Sequence, residues 1–280
     1  MKPTIQQINQ DVERALIEDL GDGDITAQLL PDDLIVRAEI ISRESMFVCG
    51  QAWVDASFTH IDPSVQINWL VDEGTWLLQP RTLCVITGLA RSILTAERTA
   101  LNFLQTLSAT ATQTYQYLQL IKEYDVQLLD TRKTIPGLRM AQKYAVFCAG
   151  GMNHRMGLYD AYLIKENHIK ACGSITAAIN KARQLEGHCL LEVEVENIDQ
   201  LREALQAKPD RILLDNFNYN MLLEAVAINQ SFSCQLEVSG GVGLDTIVNI
   251  AKTGVHYISV GAITKSIHAI DLSLLIMDTL

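Results

Sequence analysis

Seven cations crowd one segment of an otherwise acidic chain. Between Thr131 and Lys170 stand Arg132, Lys133, Arg139, Lys143, Arg155, Lys165 and Lys170, against two acids, Asp160 and Glu166. That is a local charge of +5 in a chain of net charge −11, which leaves −16 elsewhere. Such an island suits a small, highly anionic ligand. Arginine presents a planar fork that matches a carboxylate, and lysine a compact charge suited to phosphate. Arg132, Lys133, His154, Arg155 and Lys165 are therefore the candidate ligands for carboxylates and phosphates, with Thr131 in the same stretch. His154 and Arg155 follow Gly150-Gly151-Met152-Asn153, which reads as a loop where neighbouring residues can converge on one ligand.

Acids and glycines complete the set. Glu192, Glu194 and Glu196 alternate along one apolar stretch, so period-two geometry puts them on one strand face. A row of three buried acids is costly without cations or metal, so the row is expected to face a charged, solvated site. Glu194 and Asp215 are the candidates for holding Mg²⁺, directly or indirectly, or for hydrogen-bonding sugar hydroxyls; salt bridges to Lys165 or Arg132 are the other reading. Ser239-Gly240-Gly241 precedes a helix expected from about Leu244, and such a loop can bring backbone N–H groups and a helix N-terminus to an anion. Alone, that triplet is weak evidence and reads first as a tight turn. Val260-Gly261-Ala262, with Thr264, Lys265 and Ser266 behind it, offers a second set of donors.

These residues need a scaffold, and the apolar pattern supplies one. Short apolar strands are expected at Val126–Asp130, Ala161–Lys165, Cys189–Val195, Arg211–Asp215, Gln235–Ser239 and His256–Val260. Helices are expected between them at Leu138–Ala149, Ile175–Leu185, Ile198–Ala207, Met221–Ile228 and Leu244–Lys252. Continuous apolar strands alternating with helices indicate a parallel sheet covered on both faces. The candidate residues fall at the C-terminal ends of successive strands, which a barrel would gather around one mouth. Six strands are fewer than the eight of a complete barrel, so the expectation is an incomplete six-stranded parallel α/β barrel, with a doubly wound sheet as the alternative. Before it, residues 1–110 read as a mixed α/β domain: a helix over Ile5–Leu20, strands at Leu34–Ser42 and Leu83–Thr87, and turns at Asp62-Pro63 and Glu73-Gly74. A long helix from about Ala90 to Glu123 is expected to bridge the two domains.

Composition excludes several classes. With 48% hydrophobic and 20% charged residues in 280, the chain is globular rather than disordered. No apolar run approaches the roughly 18–20 residues that span a bilayer, and Met1–Asp11 lacks a signal-peptide core, so a cytoplasmic protein without a membrane partner is expected. The acidic balance argues against nucleic acid as a partner. Six cysteines without a CxxC pair read as free thiols of a reducing compartment, and the six histidines lack metal-ligand spacing.

Read together, the motifs resemble the quinolinate phosphoribosyltransferase family. The resemblance rests on Asp130-Thr131-Arg132-Lys133-Thr134-Ile135-Pro136-Gly137-Leu138-Arg139, on Gln142-Lys143-Tyr144-Ala145-Val146, on Asn153-His154-Arg155-Met156-Gly157-Leu158 and on Ile164-Lys165-Glu166-Asn167-His168. Glu18–Thr26, Glu97–Asn102, Glu192–Glu196, Leu214-Asp215-Asn216, Ser239-Gly240-Gly241 and Val260-Gly261-Ala262 extend it over nearly the whole chain; Ala149-Gly150-Gly151 departs from an expected triple glycine. The resemblance implies an N-terminal α/β sandwich domain (1–110, joined by 270–280), an incomplete barrel as catalytic domain (111–269), and a homodimer in which Arg98 reaches the neighbouring site. It implies transfer of phosphoribose from phosphoribosyl pyrophosphate to quinolinate with loss of CO₂, requiring Mg²⁺. Arg132, His154, Arg155 and Lys165 are similar to the family's quinolinate pocket. Lys133, Lys165, Glu194 and Asp215 resemble the groups around pyrophosphate, ribose and metal, and are the implied catalytic residues. Ser239, Gly240, Gly241, Val260 and Gly261 resemble the 5′-phosphate cradle. Three other readings use the same residues: a related pyrophosphorylase associated with molybdenum use, an aldolase with Lys165 as Schiff base, and a non-catalytic anion binder.

Overall fold

A computed structural model describes residues 2–185 and 189–280 as two compact units. The first comprises residues 1–115, 135–150 and 266–280, the second 116–134 and 151–265. By packing, segment 135–150, inside the 111–269 stretch expected as the catalytic domain, groups with the first unit. The reason is apolar. Its helix shows Ala141 and Ala145 on one face, and both bury in a cluster with Ile8, Val12, Trp53 and Leu107.

In the first unit, α1 (Ile5–Leu20) opens with Thr4, whose side chain accepts from the Gln7 N–H while Gln7 reaches back to the Thr4 N–H. Its buried residues, Ile8, Val12 and Leu16, recur every fourth position and form one stripe. There follow β1 (Ile35–Ser42), β2 (Met46–Phe47), α2 (Gln51–Ile61), β3 (Gln66–Trp69), β4 (Trp76–Leu77), β5 (Arg81–Leu89) and the long α3 (Ala90–Ile121), whose last residues lie in the second unit. The chain's last strand, β12 (Leu272–Thr279), returns to pair antiparallel with β1, giving a four-stranded sheet ordered β12-β1-β5-β3.

The second unit alternates strand and helix: β6 (Gln127–Leu129), β7 (Ala161–Ile164), α5 (Glu166–Cys172), α6 (Ile175–Gln184), β8 (Leu190–Val195), α7 (Ile198–Ala207), β9 (Arg211–Asp215), α8 (Tyr219–Asn229), β10 (Gln235–Ser239), α9 (Ile247–Ala251), β11 (Tyr257–Ser259) and α10 (Ala262–Lys265). The helix of segment 135–150, α4 (Arg139–Cys148), stands between β6 and β7 in sequence. The six strands hydrogen-bond in the order β6-β11-β10-β9-β8-β7, every ladder parallel. That is the order of a barrel: each strand neighbours its successor from β7 to β11, and β11 meets β6. Among the described residues the ring is incomplete: β6 and β7 share no ladder, and an isolated bridge, Leu129 to Met152, extends beyond β6. Among the described residues, no helix is long and apolar enough to cross a membrane.

Candidate active site

A cavity of about 310 Å³ opens in the second unit. Thr131, Arg132, Lys133, His154, Arg155, Lys165, Glu194 and Ser239 line it, with Leu163, Leu213, Glu237 and Ser259. Eight candidates drawn from separate stretches of the sequence thus meet on the strands of one barrel and the loops beyond them.

Asp130 organises the first of these loops. Its carboxylate is fully buried and accepts from the His154 N–H (2.9 Å) and the Asn153 side-chain amide (2.6 Å), pinning the Asn-His-Arg turn to the end of β6. Thr131 Oγ1 accepts the Lys133 N–H (3.0 Å), and the Thr264 hydroxyl donates to the Lys133 carbonyl (2.7 Å), so the Lys133 backbone is held in place. Gly261 lies against the lysine's stem; a Cβ there would stand 2.9 Å from Lys133 Cδ.

His154 shows which of its nitrogens carries the proton. Nδ1 accepts the Arg155 N–H (2.8 Å), so Nε2 bears hydrogen and is aimed at Glu192 (2.9 Å) and Glu237 (3.5 Å). Both carboxyls are fully buried, and Arg211 reaches Glu237 at 2.9 Å while stacking on the Tyr257 ring. Burial is the main cause that pushes each carboxyl up to about 7. The Arg211 charge pulls Glu192 back part of the way, and Glu192 pushes Glu237 further up. The two carboxyls thus sit side by side at the cavity floor, where Glu237 contributes to the lining. Burial, then repulsion from Arg132, lowers the Arg155 guanidinium from its ordinary value. Cations forced together in this way are relieved by a bound anion.

Lys165 ends β7 and starts α5, where its own N–H donates to His168 Nδ1 (3.0 Å). Its ammonium meets Glu194 at 2.5 Å. Glu194 and Asp215 lie on neighbouring strands. Glu194 is in register with Leu213, two residues before Asp215, so the acids share a sheet face. Asp215 accepts from the Asn216 side chain (2.8 Å), and it does not line the cavity.

Several expectations need correction. Glu196 does not join Glu192 and Glu194: β8 stops at Val195, and Glu196 is exposed where α7 is about to start, its N–H donating to Gln200. The row of three is a row of two, and Glu192 is enclosed rather than solvated. The helix after Ser239-Gly240-Gly241 starts at Ile247, not Leu244, because Thr246 closes a turn back onto Gly243. Val260 offers no spare donor; its N–H is spent on Leu129 of β6 (3.0 Å). Gly240, Gly241, Val260 and Gly261 do not line the cavity. Gly240 has φ +95°, and a Cβ there would meet Asn216 Oδ1 at 2.3 Å, so close packing against Asn216 requires glycine. Arg98 sits on α3 in the first unit, more than half exposed, with Glu97 at 4.0 Å.

Comparison with known proteins bears on the whole chain. The family model for the quinolinate phosphoribosyl transferase C-terminal domain matches residues 110–275, and that for the N-terminal domain matches 24–108. The chain belongs to the quinolinate phosphoribosyltransferase family. A probable nicotinate-nucleotide pyrophosphorylase [carboxylating] of Bacillus subtilis is 38% identical over 269 residues, 96% of this chain and 93% of that protein. A quinolinate phosphoribosyltransferase [decarboxylating] of Nicotiana tabacum is 40% identical, covering 94% of this chain and 80% of that protein. Among solved structures, the nicotinate-nucleotide pyrophosphorylase of Francisella tularensis is 49% identical with a TM-score of 0.95, over 99% of this chain and 98% of that one.

Within this family member, sequence reasoning missed Glu237, Arg211 and the organising role of Asp130. A signal for the first two existed: a lone glutamate between Leu236 and Val238, and an arginine opening Arg211-Ile212-Leu213-Leu214, are charges inside strands buried on both faces. Buried charges come in pairs. Which residues pair depends on strand neighbours, and the strand order is a tertiary fact.

Proposed function

We propose that this chain is a decarboxylating phosphoribosyltransferase that converts quinolinate and phosphoribosyl pyrophosphate to nicotinate mononucleotide, pyrophosphate and CO₂. One observation carries the reading: Arg132, Lys133, His154, Arg155 and Lys165 line a single cavity on the strands of a parallel barrel, with Glu194 among them. The cation density fits two small polyanions and no neutral substrate.

The chemistry follows from charge. Breaking the anomeric C–O bond leaves positive character on the ribose and negative charge on pyrophosphate. Lys133 and Lys165 stabilise the departing anion, and Glu194 and Asp215 face the cationic sugar. Arg132, Arg155 and His154 grip the carboxylates of quinolinate, aiming a weakly nucleophilic ring nitrogen at the anomeric carbon. Once the nitrogen is alkylated, the pyridinium accepts the electron pair left by the departing 2-carboxylate, and that carbon then takes a proton. No covalent nucleophile is needed. Glu194 and Asp215 present hard oxygen ligands on one sheet face, the donor type that suits Mg²⁺, and would hold it; when bound it supplies charge neutralisation for pyrophosphate. The proposal includes a homodimer in which Arg98 serves the neighbouring site, and a cytoplasmic location.

The test is release of CO₂ and pyrophosphate from quinolinate, phosphoribosyl pyrophosphate and Mg²⁺. Turnover with quinolinate and none with nicotinate is the expected result. Turnover with nicotinate alone, or a borohydride-trapped Lys165 adduct with a carbonyl compound, would point to the other readings.

A further inference from the structure

Outside the cavity, the first unit brings Cys49, Glu73 and Cys148 together. Their two Sγ atoms and a carboxylate oxygen lie within 4.8 Å of one another. The phosphoribosyl chemistry uses none of them. Glu73 serves the fold. Its carboxylate accepts from the Gly50 N–H (2.9 Å), the Gln51 N–H (3.1 Å) and the Tyr144 hydroxyl (3.0 Å), capping the start of α2. That commits the carboxylate and leaves the thiols as the reactive part of the cluster.

The two thiols differ. Cys49 is fully buried, and Ser108 clamps its backbone, accepting its N–H (3.1 Å) and donating to its carbonyl (3.0 Å). Cys148 is the last residue of α4 and only partly buried. We propose that Cys49 and Cys148 form a hydroperoxide-responsive dithiol, in which Cys148 is oxidised first and Cys49 resolves it to an intramolecular disulfide. Burial, aided by Cys148 and the Glu73 carboxylate, pushes the Cys49 thiol well up, so it stays protonated as a hydrogen-bond donor. That same hydrogen bond is the main cause that lowers Cys148 from its ordinary value, which makes Cys148 the more readily ionised of the two thiols. A partly exposed, more acidic thiol beside a second thiol that can resolve it is the arrangement found in redox-sensing sites.

The chemistry balances. The Cys148 thiolate attacks one oxygen of the hydroperoxide; the O–O bond breaks, sulfur is oxidised to a sulfenic acid, and the leaving oxygen takes a proton. The Cys49 sulfur then loses its proton and attacks the Cys148 sulfur, expelling hydroxide, which leaves as water. With hydrogen peroxide, two thiols yield one disulfide and two waters. The bond ties the start of α2 to the end of α4, both within the first unit.

The experiment uses the full-length protein and stoichiometric hydrogen peroxide, followed by denaturation and alkylation. The number of free thiols should fall from six to four and recover with dithiothreitol. Trypsin should release one cross-linked species joining Glu44–Arg81 to Tyr144–Arg155, each holding a single cysteine and the pair lighter by two hydrogens. Cys49→Ser should leave a Cys148 sulfenic acid that dimedone captures. Cys84 and Cys234, which burial pushes up to about 12 and about 11, should remain reduced. Absence of that cross-link in the wild-type chain, or oxidation of Cys148 no faster than of Cys172 and Cys189, would overturn the proposal. The wild-type peptide map does not depend on any variant folding.

Discussion

Gly261→Ala separates the site from the fold. Gly261 lies outside the left-handed region, so alanine fits its backbone. The added methyl would stand 2.9 Å from Lys133 Cδ and 3.5 Å from Thr131 Oγ1. An unstrained carbon–carbon contact is about 3.5–4.0 Å, so the lysine stem must retreat by roughly 0.5–1 Å. The retreating atom belongs to a flexible, exposed side chain, and replacing glycine with alanine removes unfolded-state entropy worth about 0.4–1 kcal/mol. Stability should therefore change by less than about 1 kcal/mol. In the proposed reaction, by contrast, the ammonium of Lys133 would leave the position from which it is to meet the departing pyrophosphate. A misplacement of about 1 Å at a catalytic group costs on the order of 10²-fold, or about 2.7 kcal/mol of barrier. Urea unfolding and steady-state kinetics with quinolinate and phosphoribosyl pyrophosphate measure both quantities on one preparation. A kcat/KM within a factor of about three of wild type would refute the placement of Lys133 at the reacting groups, and a loss of several kcal/mol in stability would refute the claim that only a flexible stem must give.

Gly240→Ala should behave oppositely: its Cβ would meet Asn216 Oδ1 at 2.3 Å and the Asn216 backbone nitrogen at 3.1 Å, and positive φ adds about 1 kcal/mol, so unfolding should detect a loss of roughly 1–3 kcal/mol. Lys133→Ala and Arg155→Ala should each abolish turnover while circular dichroism and the unfolding midpoint stay near wild type; near-normal activity in either contradicts the assigned site. Glu192→Gln tests the buried pair. The Glu192 carboxyl is raised from 4.5 to about 7 in the folded state, so the fold favours its protonated form. Its contribution to stability is complete below about pH 4.5 and is lost as pH rises through about 7. Glutamine stays neutral, so the variant should gain roughly 1–3 kcal/mol over wild type between pH 4.5 and 8; parallel stability–pH curves would contradict this.

How much of this was readable in the residue string varies by level. The six barrel strands were, because strands buried on both faces are continuous apolar runs and leave a local signature; Arg211–Asp215 and Gln235–Ser239 stand where that signature puts them. So was α1, whose stripe and capping residues are neighbours in sequence. The short α5 was not: Glu166–Cys172 has no buried residue, hence no apolar period to read, and its start is set by the Lys165 N–H bonding to His168.

The candidate site divides in the same way. Residue type alone determined that Arg132, Lys133, Arg155 and Lys165 needed an anion, because charge and hydrogen-bonding geometry belong to the side chain. That they line one cavity was decided by six parallel strands curling in the order β6-β11-β10-β9-β8-β7. The same curl enclosed Glu192, His154, Glu237 and Arg211 together, and left Glu196 outside. The meeting of Cys49 with Cys148, nearly a hundred positions apart, depended on α4 burying its alanines beside α2. Chemistry that resides in one side chain is written locally; chemistry that needs two distant groups within hydrogen-bond reach exists only once burial of apolar faces has selected which segments are neighbours.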